Sequence, residues 1–197
     1  MRGATHGTNN DYFIQKNWKM KNPLLLLLFI LSSFAASAQK EKEKELSNAE
    51  QLSLKSGVLI QRDYLSLGAL KGAKFELMTI TDMLSSHTTK ALKIEMSVQK
   101  SYGAADKTAI LDADEVDGFL KSLNLIQEKI LLTSPSNYTE VEYKSRGGFK
   151  GGCFSDVKKG WSFFIKLDKY DSDSYLFLKK EELPALIKIF EETKSKL

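Results

Sequence analysis

The sequence predicts an α+β fold, mostly antiparallel sheet, arranged as a tandem ββββα repeat with two amphipathic helices. Three observations carry this. Several segments alternate apolar and polar residues with a period of two. Two others, one mid-chain and one at the end, follow helical spacing instead. A shift of 67 residues lays the first helical segment on the second.

The chain has 197 residues, with 29 Lys and Arg against 25 Asp and Glu, one Cys and two His. Residues 20–38 come first in the argument because they do not belong to that fold. Met20, Lys21 and Asn22 form a short positive start, Leu24 to Phe34 an apolar core, and Ala36-Ser37-Ala38 a small-residue cleavage pattern before Gln39. The core is well short of the ~20 residues needed to span a bilayer. A buried helix would need a polar face, which five successive leucines lack, so the segment reads as a signal peptide with export to the periplasm or beyond. A retained anchor is the alternative. The distance to Cys153 disfavours a lipoprotein. Residues 1–19 are either a long positive region of the same leader or lie upstream of a true start at Met20. No membrane span is expected once the leader is cleaved.

Removing residues 1–38 changes the charge. Four of the 29 basic residues and one of the 25 acidic ones lie there, so the formal net of +4 falls to about +1. Gln39–Glu45 alternates in charge without an apolar residue, and 39–51 reads as a solvated tether. The ordered domain, 52–197, is expected to begin between Leu52 and Val58, in two pseudo-repeats of about 52–132 and 137–197.

Within it, Leu92, Ile94, Met96 and Val98 oppose Lys93, Glu95, Ser97 and Gln99. Thr139, Val141 and Tyr143 oppose Glu140, Glu142 and Lys144. Trp161, Phe163, Ile165 and Leu167 oppose Ser162, Phe164, Lys166 and Asp168. One-sided strands of this kind belong to antiparallel sheets with one face in water. Weaker strand patterns cover 58–67, 74–82, 107–111, 149–155 and 174–178. Val116, Phe119, Leu120, Leu123, Ile126 and Ile130 make the first helix, opened by a capping box at Asp112 and Glu115. Leu183, Leu186, Ile187 and Phe190 make the second. Pro184 is tolerated only in a first turn, which starts that helix near Lys180 or Glu181. The shift of 67 carries Glu115 onto Glu182, Val116 onto Leu183, Phe119-Leu120 onto Leu186-Ile187 and Leu123 onto Phe190.

In element order alone, this arrangement resembles the PUR-repeat and whirly proteins. That resemblance implies paired curved sheets with helices behind them and, in those families, single-stranded nucleic acid on the sheets. It carries over no individual residue. The leader and the phrase Ile110-Leu111-Asp112-Ala113-Asp114-Glu115 also look similar to small exported proteins of unknown function of the Bacteroidota type, which implies no activity.

Candidate chemistry is sparse. Aromatic and basic residues interleave from Tyr138 to Lys166, yet Glu140, Glu142, Asp156 and Asp168 share those strands. With a net charge near zero, phosphate neutralisation is weak, and nucleic acid is disfavoured as a partner. Arg146 to Cys153 is Gly-rich but has no Gly-Lys-Ser/Thr ending before a helix. It reads as a hairpin at Gly147-Gly148 and a bend or bulge at Gly151-Gly152. Asp112, Asp114, Glu115 and Asp117 suit a helix start, and Asp168, Asp171 and Asp173 a turn; neither has an EF-hand pattern. Cys153, between Gly152 and Phe154 on a predicted strand, reads as a small packed residue; a Cys nucleophile wants a base, and His87 is the only His available to it. Asn137-Tyr138-Thr139 matches a glycosylation sequon at near-chance frequency.

No catalytic residue, metal or cofactor is implied. The expected function is a non-enzymatic binding or accessory module of the cell envelope, with an envelope or extracellular ligand. Its working surface is the solvent side of the sheet at Tyr138, Phe154, Phe164 and Lys166. The alternatives are a carboxylate-based hydrolase acting on polysaccharide or envelope material, with Glu142 and Asp168 as its pair, and a single-strand binder of PUR or whirly type.

Overall fold

Alternating strands joined by short turns can only pair antiparallel with their neighbours, and here they close into two meanders. The computed structural model describes residues 45–101, 103–156 and 160–197. The leader at 20–38 and the first tether residues, 39–44, lie outside them. One sheet holds β1 (Ile60–Leu70), β2 (Ala73–Asp82), β3 (His87–Lys100) and β4 (Gly103–Asp112) in that order. The other holds β5 (Thr139–Lys144), β6 (Lys150–Asp156), β7 (Gly160–Lys166) and β8 (Tyr175–Leu178). Helix α2 (Ala113–Glu128) follows the first sheet, and α3 (Leu183–Lys196), entered through a 3₁₀ turn at Lys180–Glu182, follows the second. The fold is therefore α+β in ββββα order, twice.

The repeat extends to the entry of each helix. Glu115 accepts the Asp112 N–H at 3.0 Å, and 67 residues on Glu182 accepts the Lys179 N–H at 2.7 Å. Pro184 sits in the first turn of α3, where its missing N–H leaves no hydrogen bond unmade.

A third helix precedes the first sheet. Ser47 caps α1 (Asn48–Leu54) through a reciprocal capping box with Glu50. Its first residues fall within the stretch read as tether, and the ordered chain starts earlier than Leu52. The Ser-x-x-Glu signal was present at Ser47, hidden by the charge run before it. Ala49 then packs with Met78, Ile80 and Ala91 on the outer face of the first sheet.

The inner faces of both sheets share one core. Phe75, Leu77, Leu92, Ile94 and Leu111 line it from the first sheet, and Cys153, Phe163, Ile165 and Leu178 from the second. The helices cross between halves. Phe190 of α3 meets Phe75 of β2 edge-on at 6.4 Å, and Lys71 after β1 pairs with Glu182 at 3.3 Å. Phe119 of α2 packs on Tyr143 and Phe149 of the second half, at 5.3 and 5.1 Å, and on Phe190 at 5.0 Å. Neither half closes its own core.

The glycine-rich stretch does two different things. Gly148, at φ +90°, makes the tight turn between β5 and β6, where its N–H donates to the Ser145 carbonyl at 3.2 Å. Gly151 and Gly152 make no bulge: the register runs unbroken through Gly151 opposite Ile165 and Gly152 opposite Phe164. Instead, a Cβ at Gly151 would strike the Phe119 ring, and one at Gly152 the Val141 carbonyl. Close approach, not bending, requires glycine here. Among the described residues, the register breaks in β1 between Ser66 and Gly68, which blurs that strand's period in the sequence.

Candidate functional site

Strand alternation decides what faces water on the second sheet. Glu140 pairs across to Phe154, and Phe154 to Ser162; Gly152 pairs to Phe164, and Phe164 to Phe177; Lys166 pairs to Tyr175. All of these point away from the core. The rings therefore collect on one outer face, and Tyr138, just before β5, joins them.

Their geometry is a shallow concavity lined by Tyr138, Glu140, Phe154, Phe164, Tyr175 and Phe177. Phe154 lies 6.4 Å from Tyr138, 6.2 Å from Phe164 and 6.3 Å from Phe177, the last at an interplanar angle of 82°. Tyr175 and Phe177 stack at 5.5 Å, and Tyr175 lies 5.4 Å from Phe164. Tyr138 is 65% exposed and Phe177 53%, whereas Phe164 is 1% exposed. Phe164 is thus the floor of the concavity rather than a contact surface, because its neighbours' rings cover it.

Of the four residues expected from the sequence, Tyr138, Phe154 and Phe164 come together. Lys166 stands at the margin, its ammonium 4.8 Å from the Tyr175 ring centroid, donating to the Lys169 carbonyl at 3.3 Å. Tyr175, Phe177 and Glu140 were not anticipated as site residues. The alternation of Tyr175 and Phe177 with buried Leu176 and Leu178 was the available signal.

Electrostatically the site sets one carboxylate, Glu140, in its lining against one ammonium, Lys166, at its margin. Tyr138 Oη lies 3.4 Å from Glu140 Oε2. Desolvation first, and the Glu140 charge second, push the Tyr138 phenol up. Glu142 on the same face is paired with Lys150 at 2.7 Å. Glu140 has no cationic partner among the described residues.

The outer face of the first sheet is different. There α1 covers Met78, Ile80 and Ala91, and beyond it Lys93 bridges Glu95 at 2.6 Å and Glu76 at 3.3 Å while lying 5.2 Å from the Tyr64 ring. That face carries a helix and an ion-pair lattice, with Tyr64 left half exposed. Among the described residues, no helix covers the second sheet's outer face.

The two carboxylate clusters serve the fold. Lys100 holds Asp171 at 2.8 Å and Asp173 at 2.5 Å, while Lys107 holds Asp171 at 2.7 Å and Asp168 at 3.2 Å. Hydrogen bonds from Lys100 and then Lys107 hold the Asp171 carboxyl well below the usual carboxylate range. Asp168 and Glu142 are thus committed to different lysines. Asp112 accepts the N–H groups of Asn48 and Ala49 at 2.7 and 3.2 Å, and Arg146 meets both Asp112 and Asp114. Among the described residues, no group of three or more His, Cys, Asp or Glu side chains is placed to hold a metal ion. A second concavity, between α1, β4 and the loop after β7, is lined by Glu50, Thr108, Gly147, Asp168, Lys169 and Tyr170. Lys169 folds over Tyr170 there, 4.7 Å from its centroid. Cys153 is buried, and burial pushes its thiol up to about 11.

No protein-family model matches the sequence, and no curated protein aligns with it significantly. No described helix is long and apolar enough to cross a membrane.

Proposed function

We propose that this protein is an exported, non-enzymatic binding module of the cell envelope that engages its ligand through the aromatic face of the second sheet. The observation that carries this reading is the outer face at Tyr138, Phe154, Tyr175 and Phe177, which no described helix covers, unlike the face of the first sheet beneath α1. Folding leaves rings in water only at a cost in hydrophobic free energy, and contiguous apolar patches mark interaction surfaces. Glu140 would repel phosphates and Lys150 is already held by Glu142, which supports a ligand other than nucleic acid. The fate of the chemically able groups supports a role without catalysis: Cys153 is inside the core, and Asp112 and Asp171 are spent on ion pairs. The export half of the proposal rests on the pattern of residues 20–38.

The test compares the purified protein with a Tyr138→Ala/Phe177→Ala variant in a thermal-shift screen against choline, cellotetraose, chitotetraose, trileucine and single-stranded oligo-dT. At least one small probe is expected to stabilise the protein and to lose that effect in the variant. Equal shifts in both, or none in either, overturn the reading. N-terminal sequencing of the exported protein is expected to begin at Gln39, and a chain retaining Met20 counts against export.

A further inference from the structure

We infer that the outer edge of β1 pairs antiparallel with the same edge of a second copy of this chain, about a two-fold axis at Tyr64. The first sheets of the two copies then run on as one. Among the described residues the two sheets have four edges, and three of them are short or taken. β4 faces the second half: Lys107 holds Asp168 and Asp171, and a Cβ at Gly147 would sit 3.7 Å from the Ile110 carbonyl. β8 has four residues, and β5 sets Glu140, Glu142 and Lys144 along one face. β1 has eleven residues, and each one from Gln61 to Ser66 is exposed, on both faces of the sheet. It pairs only with β2, and among the described residues nothing hydrogen-bonds the backbone of its other edge.

The phase of the backbone shows which groups that edge presents. The Met83 N–H donates to the Leu59 carbonyl at 2.8 Å, one rung before Ile60 meets Asp82. Antiparallel rungs alternate between those that exchange hydrogen bonds and those that do not. Gln61, Asp63 and Leu65 therefore spend their N–H and C=O groups on β2. Those of Ile60, Arg62, Tyr64 and Ser66 point outward, a row that another strand can complete. The run carries no Pro or Lys, and the bulge that would twist it away begins only after Ser66.

The two charges of the run choose the register. A two-fold axis through the sheet keeps like faces together and can be centred on one residue or the next. Centring on Arg62 sets Arg62 against itself, and centring on Asp63 sets Asp63 against itself. Like charges directly opposite are destabilising. Centring on Leu65 carries the pairing at once into the bulge. Centring on Tyr64 pairs the whole run Arg62–Ser66 with itself. The outward groups of Arg62 then meet those of Ser66 in the second copy, and the outward groups of Tyr64 meet their own counterparts. The two Tyr64 rings, each 50% exposed in the single chain, lie side by side on the outer face. Each Leu65, 52% exposed, lies opposite Asp63 of the other copy and diagonal to its Leu65.

Sedimentation velocity on the purified protein tests the dimer. Between ~1 µM and ~1 mM it is expected to show a monomer–dimer equilibrium with a Kd of roughly 10 µM, in keeping with a small interface. Tyr64→Ala keeps the outward N–H and loses the ring, and is expected to weaken the dimer ~2- to 5-fold. Tyr64→Pro removes that N–H without breaking a bond to β2, and is expected to weaken it ~10-fold or more. Crosslinking reads the register, with Cys153 left buried in the core. On mild oxidation Tyr64→Cys is expected to give a disulfide-linked dimer. Asp63→Cys is expected to give none, because diagonal positions stand ~7–8 Å apart, beyond disulfide reach. This pair reports even where the proline variant fails to fold. A chain that stays monomeric to ~1 mM overturns the inference. So does a folded Tyr64→Pro variant that dimerises as tightly as Tyr64→Ala, or Asp63→Cys linking as fast as Tyr64→Cys.

Discussion

Arg146 in the β5–β6 turn meets Asp112 at the end of β4 at 2.8 Å, while the same carboxylate accepts the first two amides of α1. One buried charge thus joins the turn of the second half to both N-terminal helix entries of the first. Arg146 also forks onto Asp114 through Nη1 and Nη2 at 2.7 and 2.8 Å, and its N–H donates to Glu115 at 2.7 Å. Removing one partner of such a set leaves carboxylates buried and uncompensated. Arg146→Ala is expected to cost about 2–4 kcal/mol, and Arg146→Lys about half that, since lysine keeps the charge and loses the fork. Urea unfolding of both variants checks the order; equal losses would mean that the fork itself contributes nothing.

Acid should unfasten the seam between halves. Asp171 is held below the usual carboxylate range by hydrogen bonds from Lys100 and Lys107, and Asp117 is lowered to about 2 by those from Lys121 and Lys194. A carboxylate with a depressed folded pKa stabilises the fold above its unfolded value, near 4, and loses that contribution as pH falls through the folded value. Lys100 is raised, by Asp171 first and Asp173 next, so its share is present below about pH 10 and lost above it. Glu115 has the opposite sign: burial raises it, so its cost to the fold grows as pH rises from the unfolded carboxylate value through the raised folded one, and is full above that. The difference in melting temperature between the protein and Lys100→Met should be level from about pH 5 to 9 and shrink at both ends. A difference that stays constant to pH 2 would remove the ion pairs from the account.

Much of this architecture was legible because strands and helices carry different periods. All eight strands and both long helices have their pattern in the sequence, and the internal repeat was visible in Glu115 and Glu182. Helix α1 was not, since a seven-residue helix shows barely two turns of spacing and lies beside a charge run. The candidate site was half legible. Phe164 was read on the solvent face from alternation, and Tyr138 and Phe154 were grouped with it. Tyr175 and Phe177 were missed because β8 is four residues long, too short for its alternation to stand out. That Phe164 is buried on an outward face could not be foreseen: it depends on the rings of Phe154 and Tyr175, from two other strands, packing against it.

The paired glycines of β6 predict a graded response. Phe119 occupies the space beside Gly151, and the Val141 carbonyl the space beside Gly152. Gly151→Ala forces a ring to move and is expected to cost about 1–3 kcal/mol, the usual range for overpacking. Gly152→Ala meets backbone of a paired strand, which cannot rotate away, and should cost more. Shortening the ring with Phe119→Leu should recover part of the Gly151→Ala loss and none of the Gly152→Ala loss. A double-mutant cycle on urea unfolding measures this; additive losses for Gly151 and Phe119 would contradict the contact.

Cys153 gives a reporter of global opening. It lies on the inner face of β6 opposite Val141 and Phe163, buried in the shared core, with its thiol pushed up to about 11 by desolvation. Both the low thiolate fraction at neutral pH and the closed packing suppress attack on a disulfide reagent. Since α2 and α3 cross between halves, no half can open its inner face alone, and exposure of this thiol should require unfolding of both sheets. Native labelling at pH 8 is therefore expected to be ~1000-fold or more slower than labelling in urea, with a rate that rises with denaturant along the global unfolding curve. Labelling within seconds in native buffer, or a rate flat in low urea, would show that the second sheet opens by itself and that the exchanged helices do not bind the halves into one cooperative unit.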